Sequence, residues 1–395
     1  MEIIGVHGLV VCNNLTGQVL ELHLRSLSFL EYVASNPTTP HAAYIFSGKI
    51  NPYLINLKRV RYLDLSNNDF GGIPIPQFLG FMRSLRYLNL YGAGFSGMLD
   101  FSSQTPLKLA NNKFQGPIPS GLQNVTSSVR ELDLSSNEIN SSIPHWFYSF
   151  SRLDFLDLGG NFLKGEISNA IDNMTSLMHL DLSTYNQLEL VGGIPGTFRN
   201  FCNLRSFFLS YVKLNQSISE IFEILSGCAL PELDSLVLDN CQLFGHLTDH
   251  LGQFKNLLPL SLSDNMISGP IPFSLGELHS LRAIDVSHNK LNGTLPISFG
   301  GLRSLVSAYF SYNSMEGDVS ETHFANLTNL DMFFASGNKL TLRVSPGWVP
   351  SFQLVEEIGL GSWQIGPQFP MWLHSLRVTA ELKIAKNTAI IAKKS

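Results

Sequence analysis

The sequence predicts an α/β fold: a right-handed solenoid of stacked repeats with a parallel sheet on its concave face. Three observations predict it. An apolar pattern recurs at nearly constant spacing, an asparagine recurs at one fixed place within that pattern, and 395 residues exceed what one hydrophobic core holds.

The unit reads L-x-x-L-x-L-x-x-N-x-L-x-G-x-I-P. One copy is Leu257, Leu260, Leu262, Asn265, Ile267, Gly269, Ile271, Pro272; the next is Leu281, Ile284, Val286, Asn289, Leu291, Gly293, Leu295, Pro296. The asparagine place is held by Asn68, Asn137, Asn161, Asn265, Asn289, Asn313, Asn338 and Asn387. Ala93, Asn112, Asn186, Val212, Cys241 and Trp363 take it in the copies between. Most steps are 24 or 25 residues; 93 to 112 is 19 and 212 to 241 is 29. Helices with scattered leucines would show a period of 3.6 instead.

Each segment of the unit has a physical assignment. The x-L-x-L core is a short strand whose leucines point inward and whose alternate residues point outward. One unit cannot bury its leucines alone, so the units stack. Asparagine at the following turn bonds backbone groups that the bend leaves unpaired, and cysteine can replace it as a weak donor. Ala93, Val212 and Trp363 are expected to leave weaker or water-bridged turns. Glycine in L-x-G-x-I-P allows unusual backbone angles, proline ends strand pairing, and the next L-x-x-L makes a short helical turn on the convex side. The division expected is 1–56, a partial N-terminal cap with a degenerate repeat, then 57–395, a solenoid of about 13–14 repeats eroded near 100–110 and after 378.

Composition excludes several function classes. Charged residues make up 14% and hydrophobic ones 44%, which rules out a disordered chain. A net charge of −5 gives no general basic field for nucleic acid or anionic lipid. No apolar run reaches the roughly 18 residues of a membrane span, and the acidic start Met1-Glu2 is unlike a secretion signal. His246 and His250, with Asp249 between them, read as solvated loop residues, so no metal is expected. Gly359-Leu360-Gly361 lacks a third glycine, and no phosphate loop, kinase signature or G-x-S-x-G occurs. No enzyme and no cofactor are expected.

The outward strand positions form columns, because neighbouring strands lie roughly 4.8 Å apart. One column carries Asp64, Asn89, Asp133, Asp157, Asp181 and Asp285, either a stripe for a basic ligand or the ordinary solvated strand residue. Aromatics are better ligand-binding candidates: Tyr62 and Tyr87 with Tyr91 nearby; Phe155 beside His179; Phe208 and Tyr211; Tyr309 beside Phe334, flanked by Tyr312 and Met332. Cross-strand packing is the other reading of these aromatics. Sequons stand at Asn14, Asn124, Asn140, Asn173, Asn215, Asn292 and Asn326, none of them on the concave strand. Cys202 and Cys228 fall on the convex side of successive repeats, as a disulfide or as two free thiols; Cys241 is a turn residue and Cys12 is left over.

The I-P-bearing unit resembles the plant extracellular type of leucine-rich repeat. The non-repeat segments Asn13-Asn14-Leu15-Thr16-Gly17-Gln18-Val19-Leu20-Glu21-Leu22, Trp348-Val349-Pro350-Ser351-Phe352-Gln353-Leu354 and Gly366-Pro367-Gln368-Phe369-Pro370 are similar to plant receptor-like proteins. The closest type is the ethylene-inducing-xylanase receptor and disease-resistance group. The family's cap has a cysteine pair and a tryptophan, of which only Cys12 remains here, and Phe101-Ser102-Ser103-Gln104-Thr105-Pro106 looks like a place where repeats were lost. The resemblance implies a cell-surface ectodomain in defence signalling, with a peptide or protein ligand on the concave face and a co-receptor kinase as partner. A polygalacturonase-inhibitor-like protein and a non-functional or decoy receptor fragment are the alternatives.

Overall fold

The computed structural model describes residues 8–34, 45–98, 107–118, 120–126, 129–184, 189–365, 371–376, 381–385 and 388–390. They fall into two compact units, residues 1–191 and 192–395.

The first unit opens with an antiparallel pair, Leu9–Cys12 against Val19–His23. Val19–His23 then starts a parallel ladder through Tyr62–Asp64, Tyr87–Asn89, Leu107–Lys108, Glu131–Asp133, Phe155–Asp157 and His179–Asp181. The register keeps equivalent residues side by side, so Leu63, Leu88, Leu132, Leu156 and Leu180 form one buried row. The second unit repeats the plan with Ser206–Phe208, Ser235–Val237, Pro259–Ser261, Ala283–Asp285, Ser307–Tyr309, Met332–Phe334, Glu357–Gly359 and Glu381–Ala385. An antiparallel strand, Thr388–Ile390, follows.

Among the described residues, most ladder strands are followed by a left-handed residue and then by the asparagine place. Asn67, Asn111, Ser136, Asn240, Asp264, His288, Tyr312 and Ser362 have positive φ there, as do Gly92, Gly160 and Gly337. The asparagine closes the turn. Nδ2 of Asn289 donates to Leu262, Val286 and Ser287 carbonyls, the first of them one coil back, while its Oδ1 accepts from the Ile267 amide. Asn112, Asn137, Asn161, Asn265, Asn313 and Asn338 repeat the pattern. Cys241 Sγ takes the donor role towards the Leu209 carbonyl at 3.1 Å. Asn186 and Asn387 lie outside the described residues.

One expectation for this ladder needs correction. Trp363 does not weaken its turn: its Nε1–H donates to the Ala335 carbonyl at 2.8 Å, the job that an asparagine amide does elsewhere. The indole is long enough to reach one coil back with its only donor. Ala93 brings no side-chain donor to its turn. It is fully buried, and its backbone carbonyl accepts the Phe70 amide at 3.0 Å. Val212 is fully buried as well.

The expected turns after I-P are mostly 3-10 turns, such as Phe273–Glu277 and Ile297–Gly301. The long step from 212 to 241 holds an eight-residue α-helix, Ile218–Leu225, with five buried residues. Proline does not end all pairing, however. Short second ladders run beside the main sheet: Ser268–Pro270 with Lys290–Asn292, and Glu316–Ser320 with Lys339–Arg343. Pro270 tolerates the ladder because it pairs at a strand end, where no amide is required of it.

Candidate functional site

The carboxylate column is largely structural. Asp64 Oδ1 accepts the Ser66 amide at 2.9 Å and its hydroxyl at 2.6 Å. Asp133 does the same with Ser135, and Asp285 with Ser287. Asp157 and Asp181 accept the amides of Gly159 and Ser183, and Asn89 accepts that of Tyr91. Each side chain caps the backbone two residues on, which is why the residue type recurs. Burial pushes the Asp157 carboxyl up to about 7, and the neighbouring Asp181 adds to this. Burial likewise raises Asp181, against the pull of the Ser183 hydrogen bonds.

The ten aromatic and histidine candidates form separate groups. In the first unit, Tyr62 and Tyr87 stack in register, with centroids 4.3 Å apart and planes 5° apart, and His23 lies 4.5 Å from Tyr62. Burial, then Tyr87, pushes the Tyr62 hydroxyl up to about 12. Tyr91 is exposed two residues after Asn89. Phe155 stacks on His179 at 4.2 Å and 8°. In the second unit, Phe208 stands beside Val237, and Tyr211 holds a left-handed φ of 63°. Three strands separate Phe208 from Tyr309.

The densest group is at Tyr309. Its ring stacks on Phe334 at 5.4 Å and 5°, and its hydroxyl donates to Met332 Sδ at 3.2 Å. Beside this pair, His288 stacks on Tyr312 at 4.5 Å and 28°, and Tyr312 is 59% exposed. Both have positive φ, at 53° and 56°. Bulky residues in that region cost about 1–3 kcal/mol each. Two glycines make room for the rings. A Cβ on Gly359 would stand 2.8 Å from Phe334 Cδ1, and one on Gly337 would stand 2.9 Å from Tyr312 Cδ1. The result is two short aromatic ladders side by side, each ending over a glycine. Sequence reasoning misses His288, Gly337 and Gly359. One signal could have found the first: His288 and Tyr312 stand where Gly, Asn, Asp or Ser precedes the ladder asparagine in other described coils.

Carboxylates ring the platform. Burial raises the Tyr309 hydroxyl, followed by the charges of Asp285, Glu357 and Asp331, so it stays a donor at neutral pH. Burial also raises Asp285, with Asp239 and Asp264 contributing after it.

The sequon asparagines Asn14, Asn140, Asn173, Asn215, Asn292 and Asn326 are exposed; the Asn124 side chain lies outside the described residues. The sulfurs of Cys202 and Cys228 are bonded, with Cα atoms 4.6 Å apart. Among the described residues no group of His, Cys, Asp and Glu could hold a metal, and no helix is long and apolar enough to cross a membrane.

Comparison with known proteins fits this frame. A leucine rich repeat family profile matches residues 105–163, 127–188 and 280–340, and a second matches 59–81. Receptor-like protein EIX2 of Solanum lycopersicum is 32% identical over 93% of this chain, and receptor-like protein EIX1 of the same plant 31% over 93%. The chain spans about half the length of these curated relatives, 45% of each. The EIX2 alignment runs over 474 positions, more than the chain's own length, so the relative carries stretches without a counterpart here. Among solved structures, the plant peptide hormone receptor RGFR1 in complex with RGF2 is 26% identical, with TM-score 0.70 over 86% of this chain and 53% of that one. The ectodomain of the Arabidopsis receptor kinase HAESA, in complex with an extended IDA peptide, is 26% identical, with TM-score 0.69 over 80% and 52%. The fold is therefore the α/β leucine-rich-repeat solenoid read from the repeat, and the chain belongs to the plant leucine-rich-repeat receptor-like proteins.

Proposed function

We propose that this chain is the ligand-recognition ectodomain of a plant cell-surface receptor acting in defence, and that it reads a peptide or protein on the outward face of its strands. The observation that carries this is the platform of Tyr309, Phe334, His288 and Tyr312. Exposed stacked rings supply binding energy at low entropic cost. Two of these four residues, His288 and Tyr312, put bulky side chains at the left-handed place that most other coils give to Gly, Asn, Asp or Ser, and their rings stack there. The surrounding Asp264, Asp285, Asp331 and Glu357 favour a ligand with Arg or Lys side chains, which would meet both carboxylates and ring faces. Two proteins of similar fold, RGFR1 and HAESA, are each known in complex with a peptide hormone, which supports a peptide ligand here. Sugars on the exposed sequons would leave the strand face open. Output would require a partner kinase, and the setting is the outer side of the plasma membrane.

The test is a peptide-display selection on the secreted protein, followed by alanine substitution of Tyr309, Phe334, Tyr87 and Phe208. Tyr309→Ala and Phe334→Ala should each weaken the selected ligand by about tenfold or more, an amount expected of hot-spot residues. Affinity unchanged in all four variants would refute the site.

A further inference from the structure

We propose that the first unit carries a second docking site, a basic apolar groove on its flank that takes an acidic peptide segment of a partner protein. The groove encloses about 440 Å³ between two successive coils. Its apolar lining comes from Ile55, Leu57, Phe81 and Met82, and Lys58 and Arg83 stand at it. Phe81 is 70% exposed, as Phe273 is on another flank turn, whereas Phe147, Phe198 and Phe299 are buried. Ser84 Oγ donates to the Lys58 carbonyl at 2.7 Å and ties the two coils together.

Charge selects the occupant. Residues 45–98 hold six Lys and Arg against two Asp, in a chain whose net charge is −5. One of the two, Asp64, is buried and bonded to Ser66. Lys58, Arg59, Arg61, Arg83 and Arg86 are all exposed, and among the described residues none has an ion pair. Elsewhere Arg25, Lys108, Arg130, Arg205, Lys255 and Arg343 each have a carboxylate partner, while others such as Arg152, Arg282 and Arg303 have none among the described residues; what sets 45–98 apart is how many cations it gathers with so few carboxylates. Arg61 and Arg86 also sit one above the other, joined through the Arg86 amide and the Arg61 carbonyl at 2.7 Å. Like charges side by side on neighbouring strands destabilise them unless something neutralises them. Carboxylates on a peptide would do so, and an apolar side chain between them would fill the groove, whose size suits one small segment. A concave cleft between coils suits a peptide better than a flat lipid surface.

The probe is a fluorescent peptide of alternating Glu and Leu, measured by anisotropy on the intact protein. Two controls replace Glu by Gln, or Leu by Ser. The Glu–Leu peptide should bind at least about tenfold more tightly than either control, and added salt should weaken it. The double variant Lys58→Glu with Arg83→Glu should lose about a hundredfold, and Phe81→Ser about tenfold, while Tyr309→Ala binds as the parent does. That last arm separates this site from the platform. All these positions are on the surface, and circular dichroism confirms that each variant is folded. Equal binding of the Glu and Gln peptides, no peptide binding at all, an unaffected double variant, or capture of phosphatidylserine vesicles without peptide binding would each overturn the proposal.

Discussion

The same strand position does opposite things in two sets of strands. In the first set, the third strand residue is Asp64, Asn89, Asp133, Asp157, Asp181 or Asp285, and each side chain turns back to cap its own coil. In the second set, Tyr309 and Phe334 take that position and cap nothing; their rings lie flat on one another. The backbone frame is unchanged, since neighbouring strands stay in register in both. A repeat scaffold thus separates the residues that build it from the residues that it displays. Columns whose side chains satisfy their own backbone belong to the frame, and columns whose side chains do not are available for a ligand.

The largest expected effect tests whether the frame is common. Asn161→Ala in the first unit and Asn289→Ala in the second each leave a buried amide and three carbonyls without their side-chain partner. Each should cost about 3 kcal/mol in chemical denaturation. A cost below about 1 kcal/mol in either unit would mean that the ladder is not the shared element.

The carboxylate column can be separated from the aromatic one by pH. Asp157 has its carboxyl raised from 3.8 to about 7, with Asp181 and Asp133 facing it from the adjacent strands. Between those values the folded chain binds more protons than the unfolded chain, so stability falls as pH rises and levels off above about 7. Asp157→Asn keeps an acceptor for the Gly159 amide and removes the charge. It should flatten that slope and gain on the order of 2 kcal/mol at about pH 8. A slope unchanged by the substitution would show the column to be solvated.

Smaller effects probe the end of the second unit. Trp363→Phe keeps the ring and removes the donor to Ala335; we expect a loss of about 1.5 kcal/mol by thermal melting, and no loss would return the indole to simple packing. Gly359→Ala forces Phe334 aside and should cost about 1 kcal/mol, whereas Gly196→Ala, where a Cβ would have nothing within 4 Å, should cost nothing by the same measurement. Equal costs at the two glycines would remove the argument that Gly359 is there for the ring.

Most of the frame was legible in the sequence, because it depends on side chains that act on their own coil or the next at fixed spacing. The central strand position, held by Leu63 in one coil and Ile284 in another, points inward wherever the period places it. Cys241 could be read as a turn donor on chemistry alone. Trp363 could not, since whether an indole reaches a carbonyl 28 residues back depends on a rotamer. The second ladders were missed because their pairing is backbone to backbone and leaves no residue signature, as at Glu316–Ser320. For the site, Tyr309 and Phe334 followed from the period, but their support did not. His288 and the two glycines matter through ring overlap between coils, which spacing alone does not give.

The most direct test of the display face is hydrogen–deuterium exchange on the glycosylated protein with and without a peptide obtained by selection. Protection should concentrate on the strand-to-turn segments 285–288, 309–312 and 334–337. Protection confined to the flank turns, with those three segments exchanging as they do in the free protein, would contradict the account.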